Sequence, residues 1–211
     1  MVRRPLDFFL LGVFLAAAPS SARAQESATQ LGFELGYSHA QFVSAGAGGS
    51  WRDGSLIAGF LTRRLAGPVS GQLELMFSRR GGGLSATGPG GTIAGTAQLI
   101  YVEVPLLARL TVPVGRLRPV LLGGGSFAVS VGCELQVAGP DNIEQQPCDG
   151  AAAVVPLAGS DFSAVLGGGL DYPWKGSHLR LEVRRTIGVR NVATSPDVKN
   201  RVWAVLLGIT F

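Results

Sequence analysis

From Arg201 to Phe211 the chain reads RVWAVLLGITF, and every second residue is large and apolar: Trp203, Val205, Leu207, Ile209 and Phe211. The residues between them, Val202, Ala204, Leu206, Gly208 and Thr210, are smaller and slightly more polar. A period of two belongs to a β-strand, whose successive side chains point to opposite faces. Placed at the edge of a sheet in water, a strand with so bulky an apolar face would be adhesive. The same strand is satisfied where it closes a barrel whose outer wall faces lipid. No stretch of the chain after residue 24 is apolar for long enough to cross a bilayer as a helix, so any insertion has to be as a barrel.

The alternation recurs seven more times. Leu31, Phe33, Leu35 and Tyr37 oppose Gly32, Glu34, Gly36 and Ser38; Leu73, Leu75 and Phe77 oppose Gln72, Glu74, Met76 and Ser78. Between Leu99 and Thr111, Ile100, Val102, Val104 and Leu106 oppose Tyr101, Glu103, Pro105 and Leu107. Leu179, Leu181 and Val183 oppose Arg180, Glu182 and Arg184. A less regular strand is expected near Leu56–Arg64, and two more near Arg116–Val131 and Phe162–Tyr172. Short connections, such as Leu65–Val69, Val112–Gly115 and Pro173–Ser177, alternate with long ones over 39–55, 81–98, 132–161 and 189–200. Short periplasmic turns and long outer loops are the arrangement of bacterial outer-membrane barrels. The expected fold is all-β: an eight-stranded antiparallel up-and-down transmembrane β-barrel, with its interior filled by side chains.

The N-terminus fits export. Arg3 and Arg4 precede an apolar run, Phe8–Ala18, and Ala22-Arg23-Ala24 has the small-residue pattern of a cleavage site. Residues 1–24 therefore read as a cleaved signal peptide and 25–211 as one barrel domain. Removing Arg3, Arg4, Arg23 and Asp7 lowers the formal net charge of +4 by two, which takes away the main argument for nucleic-acid binding. Only 15% of the chain is charged, against roughly 25% in ordinary soluble domains.

The segments Glu74-Leu75-Met76-Phe77-Ser78-Arg79-Arg80-Gly81 and Tyr101-Val102-Glu103-Val104-Pro105-Leu106-Leu107 resemble the bacterial outer-membrane β-barrel domain often labelled "porin family protein". The resemblance covers essentially the whole exported chain and implies a fold and a compartment, the bacterial outer membrane, more than one activity. It also implies that a terminal strand ending in Phe211 serves as an assembly signal, read by the barrel-assembly machinery. Partners are then outer-membrane lipids and lipopolysaccharide, with a monomeric protein and no cofactor.

The inward faces carry Glu34, Glu74, Glu103, Arg109, Arg118, Arg180, Glu182 and Arg184. Charges in a narrow lumen need partners, so these eight read as a salt-bridge network that fixes register and plugs the interior. The rival reading is a proton or ion path through paired carboxylates. Cys133 and Cys148 are the only cysteines; in an oxidising compartment they are expected to pair, closing a loop worth about 3 kcal/mol. The acidic residues Glu134, Asp141, Glu144, Asp149 and Asp161 read as a hydrated outer loop, with no metal-loop spacing. Arg79, Arg80, Arg190 and Arg201 are placed at the outer rim, near lipopolysaccharide phosphates. Aromatic girdles are expected from Tyr37, Phe77, Phe127, Phe162 and Trp203 outside, and from Phe60, Tyr172, Trp174 and Phe211 toward the periplasm. The runs Gly123–Gly125 and Gly167–Gly169 are expected to face each other across neighbouring strands.

Catalysis finds little support. His39 and His178 lie at opposite ends, and the adjacent Ser38 and His39 point to opposite faces of their strand. The main expectation is a structural or surface-interaction role carried by the loops, with narrow permeation second. The alternative is a soluble exported barrel holding an apolar ligand, as in lipocalins, which requires the inverse pattern of an apolar interior and polar exterior.

Overall fold

The computed structural model describes residues 29–44, 47–48, 50–88, 91–138, 143–147, 159–189 and 198–211. Eight long strands form the barrel: β1 (Thr29–Ser44), β3 (Arg52–Ala66), β4 (Val69–Gly88), β5 (Gly91–Thr111), β6 (Arg118–Ala138), β8 (Ser160–Trp174), β9 (Ser177–Gly188) and β10 (Val198–Thr210). Two short strands, β2 (Ala47–Gly48) and β7 (Ile143–Pro147), extend β1 and β6 beyond the outer end. Every long strand pairs antiparallel with its sequence neighbour, and β10 returns to β1 from Gly32↔Thr210 to Ser44↔Val198. The sheet is closed, so neither terminal strand is an edge.

Outside is apolar and inside is polar. Leu31, Leu35, Leu106, Leu121, Leu166 and Leu207 are exposed on the outer wall, while Glu34, Glu74, Glu103, Arg109, Arg180, Glu182 and Arg184 are buried in the lumen. This is the distribution that lipid demands and the inverse of a soluble ligand-binding barrel. No helix among the described residues is long and apolar enough to cross a membrane.

The periplasmic turns are tight. Trp174 pairs with Ser177, and the two residues between them, Lys175 and Gly176, take positive φ of 48° and 86°. Two consecutive positive-φ residues match the twist of the flanking strands. At the other end β4, β5 and β6 run to 20, 21 and 21 residues, about twice the 9–11 needed to cross the hydrocarbon. Segments read from the sequence as loops after Gly81 and Gly132 are thus partly strand: Gly81↔Gln98 through Gly88↔Gly91 stay paired, as do Glu134↔Pro147 through Ala138↔Ile143. Glycine-rich backbone extends as readily as any other but leaves no apolar alternation to read.

The two glycine runs do not face each other. Gly123–Gly125 lie opposite Leu166–Ala164, and Gly167–Gly169 lie opposite Leu122–Val120, so the register staggers them diagonally. Their role is close approach. A Cβ on Gly169 would overlap the Leu181 carbonyl and the Glu182 side chain, and one on Gly124 would overlap the Leu106 carbonyl. Gly169 thus lets β9 come close beside Glu182, and Gly124 does the same for β5.

Candidate functional site

The lumen is built in layers. The densest lies across β1, β4, β5, β8 and β9 and centres on Arg184. Its guanidinium meets three carboxylates: Glu34 at 2.9 Å, Glu74 at 2.8 Å and Glu182 at 2.6 Å. Glu182 also accepts from Arg109, which donates in addition to both oxygens of Asp171 at 3.2 and 3.3 Å. Gln72 donates to Glu74 at 2.5 Å and accepts from Thr62 at 2.8 Å. Charges this deep are tolerable because each is paired with opposite charge and most of the carboxylate oxygens accept a hydrogen bond, Glu34 Oε1 being the exception.

Arg180 stands one layer lower. It donates to Gln72 Oε1 at 2.8 Å and to Thr62 Oγ1 at 3.4 Å, and its guanidinium lies 4.3 Å from the centre of the Phe60 ring. Phe60 is therefore a lumen residue and not part of the periplasmic girdle. Its neighbours Ala58 and Thr62 share the inward parity, and the ring gives the cation an aromatic face.

Above Arg184 the lumen turns mostly apolar, with Leu56, Met76, Ala204 and Leu206 around the hydroxyls of Ser126 and Thr186. Leu107, Leu122 and Val165 pack as a second apolar cluster on the β5, β6 and β8 side. Between Arg184 and the Arg80–Glu103 pair lies a cavity of about 20 Å³. A second charged group sits still higher: Glu103 accepts from Arg80 at 2.5 Å, from Ser78, and from Ser126 at 3.4 Å. Tyr101 lies under the Arg80 guanidinium, 5.8 Å from it. Asp161, at the first inward position of β8, is buried at this end as well.

Seven of the eight lumen residues read from the sequence are thus buried, six of them in one connected lower network and Glu103 in a separate upper pair. Arg118, the first residue of β6, is half-buried at the periplasmic mouth, where its Nη1 lies 3.5 Å from His178 Nε2. Besides Phe60, three charged residues were placed wrongly or missed. Arg80 does not reach the outer rim; it shares inward parity with Ser78, Met76 and Glu74 and is 5% exposed. Asp161 is not part of a hydrated loop, and Asp171 was not singled out, although odd parity with Val165 puts both inside. Arg79 and Arg201 are exposed on the outer wall, and Arg190 lies outside the described residues.

Toward the periplasm the lumen opens into a cavity of about 510 Å³ between the turns, floored by Arg109, Arg180 and Asp171. At the opposite end His39 stacks on Trp51, ring centres 4.7 Å apart, and its Nδ1 is 2.7 Å from Asp53. Ser38 points into the barrel, where its hydroxyl donates to the Arg79 carbonyl at 3.4 Å, so it does not meet its neighbour His39. The outer girdle residues Tyr37, Phe77, Phe127, Phe162 and Trp203 are all exposed on the wall, as are Tyr172, Trp174 and Phe211 below. Cys133 lies in β6, and Cys148 lies outside the described residues, as do Asp141, Asp149 and the segment 1–28. Among the described residues no cluster of His, Cys, Asp and Glu forms a metal site.

The family described as "Outer membrane protein beta-barrel domain" matches residues 21–194. The chain belongs to that family. It is a bacterial outer-membrane β-barrel protein. Solved structures of similar fold include Ail, the attachment invasion locus protein of Yersinia pestis, at 12% identity over 86% of this chain and 98% of that one, with a TM-score of 0.45. OprG from Pseudomonas aeruginosa is similar at 12% identity over 87% and 95%, with a TM-score of 0.49. Neisserial surface protein A matches at 10% identity over 86% and 97%, with a TM-score of 0.48. No curated protein sequence is significantly similar to the chain. A fold shared this widely does not by itself assign a role.

Proposed function

We propose that this outer-membrane barrel works through its outer surface, as an envelope-structural and surface-interaction protein with a lumen that does not conduct. The observation that carries the reading is the apolar layer above Arg184. The space of about 20 Å³ there is room for about one water, and one isolated water is not the continuous file that ions would have to follow. The paired strands that continue past the membrane give the surface role a rigid platform, and loops held on such scaffolds are where binding concentrates.

Planar-bilayer recordings and liposome swelling on refolded protein test this. No steady conductance is expected. A steady current abolished by Glu103→Ala would favour permeation instead.

The same reading makes the protein non-catalytic: Ser38 and His39 diverge, and the His39–Asp53 pair is exposed on the outer wall. Exposed Arg79 and Arg201 would contact lipopolysaccharide phosphates. Phe211 would serve as the signal for the barrel-assembly machinery, so Phe211→Ala lowers the yield of heat-modifiable protein in the membrane fraction. Residues 1–24 would be removed on export, and Cys133 would pair with Cys148. Non-reduced peptide mass spectrometry checks both, and the barrel is expected to run as a monomer in detergent.

A further inference from the structure

The lower lumen is not filled. The 510 Å³ periplasmic cavity has the volume of an ordinary small-molecule site. Arg64, Arg109, Arg118, Arg180 and His178 line it against Asp171, the one carboxylate there among the described residues, and hydroxyls of Thr62, Ser70, Thr111 and Thr210 alternate with the apolar Pro68, Val69 and Pro113. A cationic, hydroxyl-rich concavity is complementary to an oxyanion on a polar body.

Arg180 carries the argument. It is 3% exposed, yet the acceptors it finds, Gln72 and Thr62, are neutral. Its Nε has no hydrogen-bond acceptor. Among the described residues the only carboxylate within ion-pair distance is Asp171, at 3.7 Å, and that group is held more closely by Arg109. A buried guanidinium is ordinarily matched by close counter-charge, as Arg184 is by three carboxylates. Arg180 thus meets its counter-charge at longer range than Arg184 does, and it stands at the floor of an open cavity.

We propose that this vestibule is a periplasm-facing binding site for a small oxyanion ligand, a phosphate or carboxylate group on a polar body, with Arg180 as its principal charge and Arg118 at its mouth. The ligand enters and leaves from the periplasmic side, beneath the apolar layer. The site does not depend on the outer-surface role proposed above.

Isothermal titration calorimetry on the refolded protein in phosphate-free detergent buffer tests it, with inorganic phosphate and citrate as probes. Saturable binding of at least one is expected; phosphate alone assigns a phosphorylated ligand and citrate alone a carboxylate. Arg180→Gln is expected to weaken binding about tenfold or more, and Arg180→Lys to restore part of the loss. Asp171→Asn removes the competing carboxylate and is expected to tighten binding severalfold, while Arg185→Gln, beside Trp203 on the outer wall, leaves it unchanged. Heat-modifiable gel mobility reports folding of each variant. The absence of saturable binding of either probe overturns the proposal, as does a folded Arg180→Gln that binds like the parent. Should that variant fail to fold, an Asp171→Asn protein with no tighter binding overturns it. An anion current across a bilayer would overturn only the sealed-lumen reading, which keeps the two failures distinct.

Discussion

Arg180 and Arg184 stand two turns of the pleat apart on β9, both inward and both 3% exposed, and their surroundings could hardly differ more. Arg184 is enclosed by Glu34, Glu74 and Glu182 in a space with no room to spare. Arg180 rests on the Phe60 ring, bonded to neutral groups, and looks into an open vestibule. Equal burial thus hides two unlike electrostatic situations. The Arg184 layer is a closed structural unit, in which removing one member strands several partners. The Arg180 layer has its charge in reserve and depends less on any single contact.

The contrast is open to direct attack. The largest effect is expected from Arg184→Ala, which leaves three buried carboxylates without their common cation and costs about 3–5 kcal/mol, read as a lowered urea midpoint of tryptophan fluorescence. Glu103→Gln should cost about 2 kcal/mol, because Arg80 loses its counter-charge and the single amide oxygen can face either Ser78 or the Arg80–Ser126 side, not both. Arg180→Met is expected to cost about 1 kcal/mol: it forfeits the Gln72 bond but also removes a poorly matched buried charge. A cost for Arg180→Met equal to that of Arg184→Ala would erase the distinction between the layers. Asp53→Asn, at the exposed outer rim, should leave the midpoint unmoved, since solvent screens the His39 pair.

Much of this was legible from period-two alternation. Leu31 to Ser38 and Arg201 to Phe211 declare their faces because each alternates bulky apolar with small or polar residues. The buried acids and arginines of β4 and β9 follow from the same parity. Parity also held the answer for Arg80: of the adjacent pair Arg79-Arg80, one had to point inward, and Glu74 fixes which. Asp171 was harder to see because Gly167, Gly168 and Gly169 precede it, and glycines mark no face. Phe60 escaped because Ala58 and Gly59 before it are too small to mark a face, and Leu61 after it is as apolar as Phe60. Which of two buried arginines has a full set of counter-charges could not be read at all. It depends on Asp171, Gln72 and Glu34 arriving from three other strands, at sequence distances that no local pattern encodes.

The main-chain bond from the Phe211 amide to the Leu31 carbonyl, 2.8 Å long, belongs to the seam where β10 meets β1. All other strand pairs of the barrel join sequence neighbours and can form as local hairpins, whereas this seam joins the two most distant strands of the chain. Loop-closure entropy makes such a pairing the slowest to nucleate. Until it forms, the chain is an open curved sheet with two adhesive margins. Kinetics of refolding into detergent or lipid should therefore be governed by zipping of this one seam, with substitutions along Phe33–Tyr37 and Val205–Ile209 slowing the final phase more than equal losses of area elsewhere on the wall.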